Sequence, residues 1–119
     1  MDNFRRGDRA ALALGGYAED PLQDYNVADL IADLLHLCQR HGFDIAHVLD
    51  AGVSHYGGDV VEQAWEYGDW PSDTLQDAAN LARARQALAC AGVPDEYRDH
   101  ALSYVGLLPP RAREEDEAA

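Results

Sequence analysis

The sequence contains no lysine: its nine basic residues are all arginine, set against 22 acidic side chains, and the formal net charge is −13. A chain so short of cations is a poor fit to nucleic-acid binding through phosphate neutralisation, which needs clustered Lys and Arg. The same deficit disfavours attraction to anionic membranes. Long hydrophobic runs are also missing. No stretch approaches the ~18 apolar residues of a spanning helix, and Met1-Asp2-Asn3-Phe4-Arg5-Arg6 lacks the apolar region of a secretory signal. The expected location is therefore cytoplasmic. Only two cysteines occur, Cys38 and Cys90, far apart and each inside a helical pattern, which points to two small buried hydrophobes rather than a disulfide. Aromatics are scarce, 8% of a chain that is 47% hydrophobic. The remainder is largely alanine and aliphatic side chains, the composition of a helical globular protein. The 119 residues are enough to build a core without metal or disulfide, and a single domain over 1–110 with a mobile charged tail at 111–119 is expected.

The acidity is unevenly spread. Residues 19–77 hold thirteen carboxylates and one cation, Arg40, whereas 78–110 balance Arg83, Arg85 and Arg98 against Asp95, Glu96 and Asp99. Helical order over 19–77 would place these carboxylates on surfaces of fixed shape.

Hydrophobic periodicity predicts an all-α fold, a compact bundle of five to six helices built from antiparallel hairpins; no segment alternates as a strand does. A short helix is expected from Asp8 to Gly15-Gly16, then a turn region from Tyr17 to Tyr25. The best element runs from about Val27 to Arg40, with Asn26 as N-cap and Val27, Leu30, Ile31, Leu34, Leu35 and Cys38 as its apolar stripe. Gly42 is placed to end it. Asp44 is expected to cap a second helix, with Phe43 and Val48 at hydrophobic-staple spacing. Gly57-Gly58 then read as a helix stop, and Asp59-x-x-Glu62 as the cap of a new, shorter helix burying Val61, Ala64 and Trp65. A long alanine-rich helix over Thr74–Ala91 follows, with Leu75, Ala78, Ala79, Ala82, Leu88 and Cys90 as inward positions. The last helix begins at Pro94 and carries Tyr97, Ala101, Tyr104, Val105 and Leu108 inward, with Pro109-Pro110 as its end.

Two constellations could carry function. The first is the ridge Asp29, Asp33, His36 and Arg40, on one face of the best helix. Carboxylates four apart can share a magnesium ion together with substrate phosphates; the same spacing also describes a solvated face with offset charges. The second is Tyr56, Trp65, Tyr67 and Trp70 beside Asp59, Glu62, Glu66, Asp69 and Asp73. Aromatics interleaved with carboxylates suit arginine-rich partners, through stacking and bidentate pairing; alternatively Trp65 belongs to the core and Trp70 covers a helix junction. Zinc is not expected. The histidines His36, His41, His47, His55 and His100 form no H-x-x-x-H pair, and neither cysteine has a second within four residues. Ser54-His55 and Ser103 lack a G-x-S-x-G turn, and no glycine-rich loop matches a phosphate cradle.

The stretch Ala28-Asp-Leu-Ile-Ala-Asp-Leu-Leu-His36, with Gly42-Phe-Asp44 and Val48-Leu49, resembles the second half of the MazG-like all-α nucleotide pyrophosphohydrolases. That resemblance implies a magnesium site built from an E-x-x-E and a later E-x-x-D motif. Here Asp29 and Asp33 are four apart instead of three, and no E-x-x-E precedes them. Extended through His55-Tyr56, the same stretch resembles short acidic proteins of phages, plasmids and integrated elements, among which are anti-CRISPR and anti-restriction proteins. This second resemblance implies a mobile-element origin but no activity; many small acidic products of such elements act by binding host machinery.

Taken together, the residues and the second resemblance point to a non-enzymatic, cofactor-free binding protein. Its carboxylate surface would compete with DNA for a basic channel on a host nucleic-acid-binding defence complex. The expected contacts are Asp29, Asp33, Asp44, Asp50, Asp59, Glu62, Glu66, Asp69 and Trp70. No metal ligand, direct nucleic-acid contact or membrane contact is expected. The alternatives are a magnesium-dependent nucleotide pyrophosphohydrolase using Asp29 and Asp33, and a small homodimeric interaction module.

Overall fold

The computed structural model describes residues 3–16 and 22–110, and they are all-α: five α-helices, two 3-10 turns and no strand among the described residues. The expected tail at 111–119 and the expected turn residues 17–21 lie outside the described residues. The helices are α1 (Asn3–Ala13), α2 (Asp24–Arg40), α3 (Ile45–Tyr67), α4 (Leu81–Cys90) and α5 (Asp95–Tyr104). Contacts divide the chain into two compact units, Met1–Leu49 and Asp50–Ala119. No described helix is long and apolar enough to cross a membrane.

In the first unit, α1 starts earlier than the expected Asp8 cap and buries none of its residues. The 3-10 turn Leu14–Gly16 follows, with Leu14 buried. The N-cap of α2 is Gln23, three residues before the expected cap, Asn26. Asn26 lies inside the first turn, is buried, and reaches back so that its Oδ1 accepts from the Gln23 backbone N–H at 3.0 Å. It thus satisfies an orphan donor from the other side of the capping box. The far end of α2 closes as expected. Gly42 takes φ +69°, the Phe43 N–H donates to the Cys38 carbonyl at 2.9 Å, and the Gly42 N–H donates to Gln39 at 3.2 Å. This is the Schellman arrangement, which favours a residue without Cβ at the left-handed position.

The second unit contains the core: Val61, Leu75, Ala84, Leu88, Val93, Ala101, Leu102, Val105 and Leu107, with Trp65, Trp70, Tyr97 and others packed on it. Leu88 and Leu102 are completely covered, each contributing about 1.5–3 kcal/mol of apolar burial. Helices α4 and α5 form a short hairpin through Gly92, which repeats the Gly42 ending: Val93 N–H donates to Leu88 O at 3.0 Å, and Gly92 N–H to Ala89 O at 3.1 Å. Arg98 steadies that link, its Nε donating to the Val93 carbonyl at 2.8 Å.

Two expectations are corrected here. Gly57-Gly58 do not end a helix, and Asp59 and Glu62 do not cap a new one, because α3 runs unbroken through all four residues. Both glycines are buried. A Cβ on Gly57 would sit 2.5 Å from the Ala101 Cβ, and one on Gly58 2.5 Å from the Tyr104 ring. They are small because α5 lies against them. Ser54, Gly57, Gly58, Val61 and Trp65 share one arc of α3 at helical spacing, a pattern that continues across the glycines.

The expected helix over Thr74–Ala91 is likewise shorter. Residues 74–77 are loop and turn, Ala78–Asn80 are a 3-10 turn, and α4 starts only at Leu81. The shift changes which residues point inward: Leu75 and Leu88 are buried as expected, but Ala78, Ala79, Ala82 and Cys90 are exposed and Ala84 takes the inward place. Both cysteines are free thiols; Cys38 is buried and Cys90 is not. Gly106 ends α5 before Pro109.

These contacts separate the glycines of α3 by function. Gly57→Ala should lose about 1–3 kcal/mol of unfolding free energy through overpacking. Gly52→Ala, where an added Cβ meets nothing within 4 Å, should gain about 0.5–1 kcal/mol from helix propensity. Urea denaturation followed by circular dichroism distinguishes them, and equal effects would contradict the close approach.

Candidate functional site

The acidic residues fall into groups with different surroundings. On α2, Asp29 and Asp33 are exposed, one turn apart, and share an arc with His36 and Arg40. Asp44 is exposed and caps α3, its Oδ1 accepting from the His47 backbone N–H at 3.2 Å. Asp50 is engaged inside the second unit. It is only a quarter exposed, accepts from the Ser54 hydroxyl at 3.3 Å, and lies 2.7 Å from His100 Nδ1. Because an ionised carboxylate can only accept, the Nδ1–H of His100 donates in this pair.

A continuous acidic row forms along the second half of α3. Asp59, Glu62 and Glu66 follow at intervals of three and four, so they share one face beside the arc that packs on the core. Glu62 and Glu66 are exposed and Asp59 is half-buried. The chain then leaves the helix with Asp69 and Asp73 exposed in the following loop. Two ion pairs of this unit lie away from Glu62, Glu66 and Asp69: Arg85 Nη1 to Asp99 at 3.1 Å, and Arg98 with Asp95. Among the described residues no arginine pairs with Glu62, Glu66 or Asp69.

The aromatic residues of this region divide. Tyr67 is exposed, while Tyr56 is half exposed with its hydroxyl directed at the Ala91 carbonyl, 3.5 Å away. Trp65 packs on the core and its Nε1–H donates to the Ser72 carbonyl at 3.2 Å. Trp70 is also partly buried against the core, and its indole lies so close over Gly68 that a Cβ there would be 2.7 Å from Nε1.

The loop after α3 is held by a residue that sequence reasoning passed over. Asn80 is fully buried. Its Oδ1 accepts from the Ser72 N–H at 3.0 Å, and its Nδ2 donates to the carbonyls of Ser72 and Thr74 at 3.2 and 3.0 Å. Asp77 completes the staple: Oδ1 accepts from the Ala79 N–H at 3.1 Å and Oδ2 from the Ser72 hydroxyl at 3.0 Å. These bonds, the backbone one first, hold the Asp77 carboxyl below its ordinary value of 3.8. The sequence signal was there. Asn and Asp are poor residues for a helix interior because their side chains bond nearby backbone, and both stand inside the alanine-rich stretch.

Among the described residues no group of three or more His, Cys, Asp or Glu side chains is placed to hold a metal ion. The chain matches no protein-family model, no curated protein and no solved structure.

Removing the Asn80 amide strands the Ser72 N–H on its buried side and takes one of two donors from each of the Ser72 and Thr74 carbonyls. Asn80→Ala should therefore cost about 1–3 kcal/mol in chemical denaturation, with Asn80→Asp restoring at most part of it. Asp77 makes the loop acid-sensitive. A carboxyl whose folded pKa is depressed stabilises above its unfolded pKa and loses that contribution as pH falls through the folded value. Stability of the native chain should therefore decline more steeply below pH 3.8 than that of Asp77→Asn. Parallel acid limbs for the two proteins would contradict the cap.

Proposed function

We propose that the protein is a non-enzymatic acidic binding protein of the cytoplasm, encoded by a mobile element. In this reading it inhibits a host nucleic-acid-binding defence complex in the manner of anti-CRISPR or anti-restriction proteins. Its carboxylates stand where DNA phosphates would stand in a basic channel, and its partner is that channel, not nucleic acid.

The observation that carries this reading is the row Asp59, Glu62 and Glu66 on α3, extended by the exposed Asp69 and Asp73. At 1.5 Å per residue the three helical carboxylates span roughly 10 Å. One DNA strand sets about three to four phosphates over that length, at 3.4 Å of axis each. The charge density is thus comparable, and the helix fixes it in advance. A partner does not have to order these groups on binding, which lowers the entropic cost of association. Exposed carboxylates of one sign also steer encounter with an arginine- and lysine-lined cleft. Asp29 and Asp33 supply a further exposed pair on α2.

The test uses purified CRISPR effector and restriction complexes as partners. Triple charge reversal, Asp59→Lys with Glu62→Lys and Glu66→Lys, should weaken binding at least ~10-fold and flatten its dependence on salt between about 50 and 300 mM. Duplex DNA should displace the native protein. Binding that ignores salt, DNA and the triple reversal would sink the mimicry, and turnover of a nucleoside triphosphate with magnesium would replace it with a hydrolase.

A further inference from the structure

The acidic row of α3 has an aromatic flank that comes from another helix. Tyr104 belongs to α5, and its place in the hydrophobic spacing predicts an inward ring, yet it is 54% exposed. The Cδ1–Cε1 edge of that ring rests on Gly58, where an added Cβ would meet these atoms at 2.5 and 2.9 Å. One ring face turns to His55, with centroids 4.6 Å apart and planes tilted by 37°. At 100° per residue, His55, Asp59, Glu62 and Glu66 fall within about 60° of one another on α3, and Gly58 borders that arc one turn before Glu62. All of these residues belong to one unit. The half-exposed tyrosine thus stands against the edge of the carboxylate row.

We infer that Tyr104, backed by His55, is the docking point for an arginine side chain of the partner, its guanidinium laid on the open face of the ring and its N–H groups directed at the row from Glu62 onward. This site rests on the reading of the row as a contact for a basic partner, and it adds which cation that partner presents. Charge selects the occupant. An exposed ring draws a cation to its negative face, and residues 19–77 around it carry thirteen carboxylates against Arg40 alone. Geometry then separates the two natural cations. A guanidinium is planar, stacks on an aromatic face and keeps its five donors in a fork that matches carboxylates. A lysine ammonium is a compact, strongly hydrated point charge and gains less from a ring.

The other aromatic residues of the region are engaged differently. Trp65 and Trp70 pack on the core, and the Tyr56 hydroxyl is directed at the Ala91 carbonyl. Tyr67 is exposed on another arc of α3. Gly58 is what admits Tyr104 to the flank of the row, since a Cβ there would displace the ring. Ring and carboxylates are both set by the folded helices, so neither has to be ordered when the arginine arrives.

Titration calorimetry of the full chain with octa-arginine and octa-lysine peptides, at about 50 mM salt, tests this site. The native protein should bind octa-arginine more tightly. Tyr104→Leu should weaken octa-arginine roughly 3–10-fold, as expected for loss of one cation–π contact, and octa-lysine by less than ~2-fold. Tyr104→Phe, which keeps the ring, and Tyr67→Leu, on the other arc, should both behave as the native protein does. Failure of the native protein to bind octa-arginine, equal affinity for the two peptides, or a preference untouched by Tyr104→Leu overturns the inference. So does an equal loss in Tyr67→Leu. Where Tyr104→Leu fails to fold, the Tyr104 ring resonances of the native protein should shift with octa-arginine and not with octa-lysine; a ring that does not respond overturns it. The CRISPR effector and restriction complexes separate this site from the mimicry. An arginine preference set by Tyr104 with no binding to those complexes removes the mimicry alone, whereas complexes bound equally well by native protein and Tyr104→Leu remove the docking point alone.

Discussion

In the second unit, the close approach of α5 to α3 at Gly57 and Gly58 is the contact on which the other packing depends. With no Cβ at these two positions, Ala101, Tyr104 and Val105 reach the backbone surface of α3, and Leu88 of α4 follows at Gly57. Dispersion falls off steeply with separation, so a helix pair held a further ångström apart would leave Val61, Leu88 and Leu102 short of neighbours. The backbone entropy lost by ordering two glycines in a helix opposes folding. The fully covered core around them offsets that cost.

The same arrangement positions the acidic row. Once the glycines orient one arc of α3 toward α5, helical geometry turns Asp59, Glu62 and Glu66 onto the neighbouring arc. Beyond Tyr67 the row continues into a loop that has no repeating backbone hydrogen bonds of its own. The side chains of Trp65, Ser72, Asp77 and Asn80 supply hydrogen bonds instead, and the Trp70 indole packs over Gly68. Buried backbone groups need partners, and Asn80 meets that need with a single side chain. Trp70 therefore acts from beneath the loop that presents Asp69 and Asp73. Asp50, joined to Ser54 and His100, likewise contributes within the unit.

Much of this was legible in order and not in extent. The all-α class, the α2 stripe, the glycine endings at Gly42 and Gly92, and the burial of Leu75, Leu88, Ala101 and Val105 all follow from spacing. The glycine pair in α3 did not, because the same residue type serves a left-handed stop and a close helix contact. The periodic series Ser54, Gly57, Gly58, Val61 and Trp65 was the distinguishing feature. Asn80 was missed for a related reason: an alanine-rich frame masks a residue whose bonds reach six to eight positions along the chain. For the candidate site, spacing was enough to place Asp59, Glu62 and Glu66 together. It was not enough to separate Asp50, which is bonded to a histidine fifty residues away.

By itself the sequence determined the excess of carboxylates, their concentration in residues 19–77, and the periodicities that make helices. These are properties of composition and of local backbone geometry, and they need no knowledge of distant neighbours. Only the tertiary structure decided which glycines end helices and which admit a neighbour, and which acids point to solvent and which are bonded within the unit. It also decided where the aliphatic side chains are covered. Each of those depends on residues distant in the chain meeting in space, because burial and hydrogen-bond satisfaction belong to pairs of segments and not to either one alone.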